Sequence, residues 1–267
     1  MELQPIIKWA GGKRWLVRKA SDLFPSEYGN YVEPFLGGAA VYFHLAPSSA
    51  LLSDVNSELI NVYSSIKKDW KLVADLLKTH QLLHCSDYYY QVRSDIPKSR
   101  FAQAARTLYL NRTCWNGLYR VNLKGEFNVP IGTKSNVLAD IDSFPHVAKL
   151  LKGARFRVGD FEASIDAATD GDFVFVDPPY TVKHNFNGFI KYNENLFKWE
   201  DQVRLRDAVT RATNRGVKVL VLNANHESIS SLYDGFEQIV LSRSNVLSGK
   251  SEFRGVYQEL AIRCWQT

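Results

Sequence analysis

Apolar residues along this chain fall either into short unbroken runs or into the three-to-four-residue spacing of amphipathic helices. The densest run is Phe173 to Val176, four apolar residues bounded by Asp172 and Asp177. It predicts a short strand buried on both faces, as in the middle of a parallel sheet. Tyr31 to Phe35, Leu51 to Asp54, Ala154 to Val158 and Val217 to Leu222 read as further strands, and Leu36-Gly37-Gly38-Ala39-Ala40-Val41 as a glycine turn opening a helix. Trp199 to Asn214 predicts a helix ended by Arg215-Gly216. Phe236 to Ser242 and Val256 to Arg263 alternate and predict an antiparallel end to the sheet. The fold class expected is α/β.

From Asn56 the period changes. Leu59, Ile60, Tyr63 and Ile66 follow helical spacing, and further helices are predicted at Lys71 to Thr79 and Arg100 to Cys114, with no apolar strand until Ala154. Residues 57–145 therefore read as a mainly helical insertion in a domain made of residues 1–56 and 146–267. Inside the insertion, Asn116-Gly117 and Lys124-Gly125 are tight-turn signals. Between them Leu118, Arg120 and Asn122 share one face of a hairpin, and Tyr119, Val121 and Leu123 the other. Arg and Asn suit bidentate contact with guanine and adenine edges, and Trp115, read as the hairpin tip, has the shape of a wedge between bases. A solvated surface hairpin is the alternative.

Composition narrows the classes. The 267 residues are 45% hydrophobic and suffice for a sizeable core. No apolar run approaches the ~20 residues that span a bilayer. Met1 to Gly12 lacks a basic region followed by an apolar stretch, so no signal peptide is expected. Three cysteines without Cys-x-x-Cys spacing, and scattered histidines, predict a reducing, cytoplasmic setting and no metal site. The net charge of +5 favours a polyanionic partner. Residues 57–145 hold 12 Lys and Arg against 8 Asp and Glu, so most of the excess lies in the insertion.

Candidate chemistry gathers at the turns after the strands, where open α/β sheets bind ligands. Asp177-Pro178-Pro179-Tyr180 ends the central strand with an acid, a rigid turn that presents carbonyls without competing donors, and an aromatic ring. An exocyclic amine has two hydrogens and needs two acceptors. The Asp177 carboxylate and the Pro178 carbonyl supply them, and the Tyr180 ring can stack on the base that carries the amine. The bland alternative is a structural turn. Glu33-Pro34-Phe35 with Gly37-Gly38 has the form of a nucleotide-type cofactor pocket, although G-x-G-x-x-G is absent. Asp54, at the end of the second strand, is placed for ribose hydroxyls or as a helix N-cap. Gly11-Gly12 beside Lys13 and Arg14 suits an anionic group. Gly159-Asp160-Phe161 puts an acid and a ring at the pocket rim. Thr181 to Leu196, with Phe186, Phe189 and Tyr192, is long enough for a lid, and the loop Arg243 to Arg254 carries Arg243, Lys250 and Arg254 for phosphates.

With these strings in order, the chain closely resembles the Dam-type (D12 class) adenine-N6 DNA methyltransferases. The resemblance rests on Lys8 to Lys13, Val32 to Phe35 with Gly37-Gly38, Ser53-Asp54, Asn116-Gly117 to Gly132, Asp177 to Tyr180, and Phe189 with Tyr192. It implies a Rossmann-like class I methyltransferase sheet carrying a target-recognition domain at residues 57–145. It implies S-adenosylmethionine as cofactor, held by Trp9, Ala10, Gly11, Gly12 and Lys13, by Glu33, Pro34, Phe35, Gly37 and Gly38, by Asp54, by Asp160 and Phe161, and by Asp177. It implies double-stranded DNA as partner, read by Lys8, Arg112, Trp115, Asn116, Leu118, Arg120, Asn122 and Asn128, with GATC as the candidate sequence. A monomer is expected, with no membrane and no metal. Two departures stand out: Trp115 replaces the Tyr or Phe of many relatives, and Leu-Gly-Gly-Ala replaces Gly-Ala-Gly. The readings left open are a cytosine-N4 or RNA/protein amide methyltransferase on the same fold, and a non-catalytic DNA-binding relative.

Overall fold

The computed structural model describes residues 3–117, 119–122, 126–139, 141–182, 197–244 and 256–265. Leu118, the Lys124-Gly125 turn, Phe186, Phe189, Tyr192, Lys250 and Arg254 lie outside the described residues, as does most of the expected lid.

In chain order the elements are α1 (Arg14–Lys19), β1 (Tyr31–Glu33), α2 (Ala40–Leu45), β2 (Ala50–Asp54), α3 (Ser57–Leu83), α4 (Ser86–Ser94), α5 (Arg100–Thr113), α6 (Phe144–Leu150), β3 (Ala154–Val158), α7 (Phe161–Ile165), β4 (Phe173–Val176), α8 (Trp199–Thr213), β5 (Lys218–Ala224), α9 (Glu227–Leu232), β6 (Glu237–Ser244) and β7 (Val256–Arg263). The strands form one seven-stranded sheet in the order β3-β2-β1-β4-β5-β7-β6. β2, β1, β4 and β5 run parallel, while β7 is antiparallel to both β5 and β6. The expected α/β sheet with an antiparallel end is the one observed. All four residues of β4 are buried, because the strand pairs with β1 on one side and β5 on the other.

The chain clusters into two compact units, one made of Met1–Val17, Leu36–Ser48 and Ser53–Gly159, the other of Arg18–Phe35, Ser49–Leu52 and Asp160–Thr267. In the first, α3 packs against α5 and α6. Asn56 caps α3, its side chain accepting from the Leu59 N–H at 3.0 Å. The two helical stretches predicted there are joined in one element broken at Asp69 (φ −155°, ψ 84°), whose carboxylate accepts from the Leu72 N–H and restarts the helix. α4 was not legible from the apolar pattern, since its only buried residue is Tyr89.

In the second unit, Val174, Val176, Val219 and Val221 pack with Leu205, Ala208 and Val209 of α8. Aromatic rings gather around Phe173: Tyr31, Tyr28, Phe24 and Trp265 lie 5.6–6.4 Å away between centroids. The two acids that bound β4 do different work. Burial raises the Asp172 pKa, but the Thr169 and Asn30 N–H groups outweigh it and hold the carboxyl below its usual value. Asp172 is thereby a tie at the entry to the strand, and Asp177 stands half-buried at its exit. Truncating the ring at the centre of this cluster, Phe173→Ala, is expected to lower unfolding free energy by about 3–5 kcal/mol in urea titrations.

Candidate active site

In the first unit, the glycine loop is a turn from Trp9 to Gly12. It is closed by the Gly12 N–H on the Trp9 carbonyl (3.3 Å), with Gly11 at φ +78°. A side chain at Gly11 would meet nothing within 4 Å, so the turn has open space above it. Lys13 is buried, and its carbonyl accepts from Leu16 and Val17 at the start of α1. The Trp9 ring lies against Gly37: a Cβ there would come 2.9 Å from Trp9 Cδ1, and Gly37 has φ +46°. On its other contact the ring stacks with Tyr119, centroids 5.2 Å apart and planes 25° apart. Burial and the nearby Glu58 carboxylate push the Tyr119 phenol pKa up, and its hydroxyl donates to Glu58 Oε2 at 2.5 Å.

Asp54 closes β2 as expected. Its Oδ2 accepts from the Gly37 N–H (3.2 Å) and its Oδ1 from the Asn56 N–H (2.9 Å), which ties the glycine turn to the start of α3. The cap itself is Asn56, so the two readings of Asp54 resolve into a tether beside the capping residue. Burial raises the Asp54 pKa against the lowering effect of these N–H groups. A carboxylate has about four acceptor sites, so capacity remains for hydroxyl donors.

Lys8 and the hairpin share one polar clamp. The buried Asn111 amide accepts from the Lys8 N–H (2.9 Å) and donates to the Lys8 carbonyl (2.8 Å) and, at 3.4 Å, to that of Gly117. The Lys8 ammonium donates to the Asn116 carbonyl at 3.2 Å. Burial first, and then the Lys134 charge, lower its pKa. Asn116 (φ 58°) and Gly117 (φ 63°) are both left-handed, as the Asn-Gly signal required. The two arms pair through Cys114 with Ile131 and Val121 with Phe127. The Trp115 N–H donates to the Pro130 carbonyl, so Trp115 stands at the foot of the hairpin and not at its tip, with its side chain 55% exposed.

Of the alternation expected of the hairpin, Leu118 and Leu123 lie outside the described residues, and Val121 and Asn122 are both half-buried. Tyr119 faces Trp9 and Phe127, while Arg120 is exposed. Arg120 Nε donates to Asn128 Oδ1 across the strands (3.3 Å), and Asn122 is engaged with Glu126. Arg112 is half-buried on α5. Its guanidinium donates to the Val137 carbonyl at 2.7 Å and lies over the Phe144 ring, so it serves the packing of this unit.

In the second unit, the Glu33 carboxylate is buried and accepts from the Tyr31 hydroxyl at 2.9 Å. Pro34 is buried beside it, and Phe35 stacks on Phe161 (5.4 Å, 24°) with Phe197 edge-on to Phe35. Gly159-Asp160-Phe161 was read as a turn. Asp160 in fact caps α7, accepting from the Glu162 N–H, and pairs with Arg204 at 3.0 Å, while the Phe161 ring belongs to the core. After β4, Pro178 is buried, and Asp177, Pro179 and Tyr180 are half-buried. The Tyr180 hydroxyl donates to Glu259 Oε2 at 2.6 Å.

Sequence reasoning missed Asn111, Tyr119 as a partner of Trp9, and Glu259. An Asn at an apolar helical position and a Glu inside a run of apolar strand residues were the available signals. Among the described residues no group of three or more His, Cys, Asp or Glu side chains is arranged to hold a metal, and no helix is long and apolar enough to cross a membrane.

Comparison with known proteins agrees with these strings. A family model described as D12 class N6 adenine-specific DNA methyltransferase matches residues 9–246. The chain is 37% identical to the Type II methyltransferase M1.LlaDCHI of Lactococcus lactis subsp. cremoris, covering 98% of this chain and 95% of that protein. It is 33% identical to the DNA adenine methylase of Escherichia coli K12 over 84% of this chain and 81% of that one. It is also 36% identical to the DNA N-6-adenine-methyltransferase of Escherichia phage P1, covering 96% of this chain and 34% of that protein.

The clamp gives a stability test. Asn111→Ala strips partners from the Lys8 N–H and carbonyl groups, and should lower unfolding free energy by roughly 1–3 kcal/mol. Faster amide exchange at Lys8 than at β4 would accompany it.

Proposed function

Since the chain belongs to the D12 class N6 adenine-specific DNA methyltransferases, we propose that it transfers the methyl group of S-adenosylmethionine to N6 of an adenine turned out of duplex DNA, with Asp177 to Tyr180 as the reacting turn. The observation that carries this reading is the exit of β4: a central strand buried at every position delivers an acid, two prolines and an aromatic ring, with Asp177 and Tyr180 only half-buried.

The residues present suit the cofactor. The turn at Gly11 has room above it, the glycines at 37 and 38 keep side chains out of the way, and Asp54 retains acceptor capacity for ribose hydroxyls. We assign its binding to Trp9, Ala10, Gly11, Gly12, Lys13, Glu33, Pro34, Phe35, Gly37, Gly38, Asp54, Asp160, Phe161 and Asp177. When bound, S-adenosylmethionine supplies a sulfonium methyl as electrophile.

Adenine N6 is a poor nucleophile because its lone pair is conjugated into the ring. The Asp177 carboxylate and the Pro178 carbonyl accept its two hydrogens, which favours a tetrahedral nitrogen with the lone pair directed outward. Holding the amine in that geometry is the main contribution. Asp177 also stabilises the positive charge that develops on nitrogen, from a position fixed before the reaction. The Tyr180 ring stacks on the extruded base at ~1–3 kcal/mol, offsetting part of the few kcal/mol needed to leave the duplex.

Residues 57–145 form the target-recognition domain in this proposal, and residues 1–56 with 146–267 the catalytic domain. Lys8, Asn116, Leu118, Arg120, Asn122 and Asn128 are the DNA contacts. Asn128 holds Arg120 by Nε and leaves both Nη groups for a guanine edge. The likeness of Leu118, Arg120 and Asn122 to those of GATC-reading members makes GATC the first sequence to try. A monomer on double-stranded DNA completes the reading.

Incubation with unmethylated DNA and labelled S-adenosylmethionine, followed by nucleoside analysis, tests it; N4-methylcytosine as the product would refute it. Asp177→Ala should abolish methyl transfer while DNA binding stays within a few-fold of the parent, and turnover at the parent rate would sink the assignment. Arg120→Ala should relax discrimination at one base pair by about 1–3 kcal/mol. An equal loss on every sequence would make Arg120 a phosphate contact.

A further inference from the structure

Among the described residues of the second unit, Gln202, Asn223 and Glu259 are polar residues with no solvent exposure. They come from α8, β5 and β7; Gln202 and Glu259 reach Pro179 and Tyr180, and Asn223 reaches Gln202. Asn223 Nδ2 donates to Gln202 Oε1 at 2.9 Å, and Gln202 Nε2 donates, at 3.4 Å, to the carbonyl of Pro179. Glu259 Oε2 accepts from the Tyr180 hydroxyl at 2.6 Å, at the short end of O–H···O distances. The reacting turn is thus gripped twice, by its backbone and by its phenol, from side chains that never reach solvent.

We propose that Glu259 is a positioning residue for methyl transfer: through the Tyr180 hydroxyl it orients the ring on which the extruded base stacks. This rests on the reading of Asp177 to Tyr180 as the reacting turn. The sheet around this carboxyl is apolar. Glu259 lies opposite Ala224 on β5 and Leu241 on β6, and the next three residues of its own strand, Leu260, Ala261 and Ile262, are buried and apolar. Burying a carboxyl in such a setting is costly, and an apolar side chain of similar size is often neutral or stabilising in its place. What a leucine could not do is accept a hydrogen bond from Tyr180. The ring itself is half-buried. A ring held only at its Cβ can swing and turn about two torsions; a tether at the hydroxyl, which lies on the ring axis, fixes where that axis points, and because a phenolic O–H prefers the plane of its ring, the direction to Glu259 also biases the stacking plane. The energy spent on burial is recovered as orientation, which matters only while a base is on the ring.

The test is a double-mutant cycle on the full-length protein with S-adenosylmethionine and a duplex carrying one target adenine. It reads the single-turnover rate of N6 methylation and the fluorescence of 2-aminopurine placed at the target. Tyr180→Phe and Glu259→Leu should each lower the rate roughly 10-fold, the scale of one hydrogen bond, with KM for S-adenosylmethionine unchanged. The double variant should be no slower than Tyr180→Phe alone. Glu259→Gln, which keeps an acceptor, should retain most of the rate. A 10-fold loss on adding Glu259→Leu to Tyr180→Phe would mean that Glu259 acts through something other than the phenol, and would overturn the proposal. So would a parental rate and 2-aminopurine signal in Tyr180→Phe, which leaves Glu259 untouched and decides the matter even if Glu259→Leu fails to fold. Adenine methylation surviving in Asp177→Ala would instead overturn the reading of the turn itself.

Discussion

Two consecutive prolines cannot extend a hydrogen-bonded ladder, and this protein places them at the end of the most deeply buried strand it has. β4 pairs on both sides, so its direction is fixed by β1 and β5 before the chain reaches Asp177. With φ set by each pyrrolidine ring and the preceding residues pushed towards extended geometry, little freedom is left at the turn. The acceptor pair proposed here, the Asp177 carboxylate and the Pro178 carbonyl, would draw on that stiffness to hold an amine in one geometry. The cost is that the turn cannot be stabilised by ordinary backbone pairing. Side chains from neighbouring elements hold it instead: Gln202, itself held by Asn223, reaches the Pro179 carbonyl, and Glu259 the Tyr180 hydroxyl.

The same economy governs the first unit. Trp9 is pressed between Gly37 and Tyr119, and Lys8 is bound through both its backbone groups by Asn111. The loop assigned to cofactor and the hairpin assigned to DNA consequently share a framework: Lys8 and Trp9 are neighbours in the chain, one clamped to the Asn116-Gly117 turn and the other stacked on the next arm. The glycines at 37 and 117 are required by geometry. Both have positive φ, and a Cβ at either would come within 3 Å of a side chain from the 8–9 segment.

Much of this was legible because its signals are local. Four apolar residues and two prolines define β4 and its exit without reference to anything else, and the Asn-Gly pair demanded the left-handed turn that it forms. Of the expected hairpin alternation, Tyr119 faces in and Arg120 is exposed. What escaped was set by distance along the chain. Asn111 bonds across 103 residues to Lys8, and Tyr180 across 79 to Glu259; no window of sequence contains both partners. Trp115 was misplaced for a related reason. The Asn-Gly signal marks a left-handed bend correctly, but only the pairing of Cys114 with Ile131 shows that the bend interrupts the base of the hairpin instead of closing it. α4 has one buried position and α7 spans five residues, so neither gives a period room to register.

These misses share a physical character. A buried amide or carboxyl contributes little net stability over a well-packed apolar side chain, so neither composition nor periodicity has cause to place one at Asn111 or Glu259. Such a group makes sense only as a partner for something specific, and here the partners lie in the segments assigned to chemistry and recognition. Arg112 argues the converse. A conspicuous charge in a basic region, it is spent on the Val137 carbonyl and the Phe144 ring. Exposed charge was the obvious guide in the sequence, yet in the folded chain it is the buried polar side chains Asn111 and Glu259 that bond to the segments proposed for recognition and chemistry.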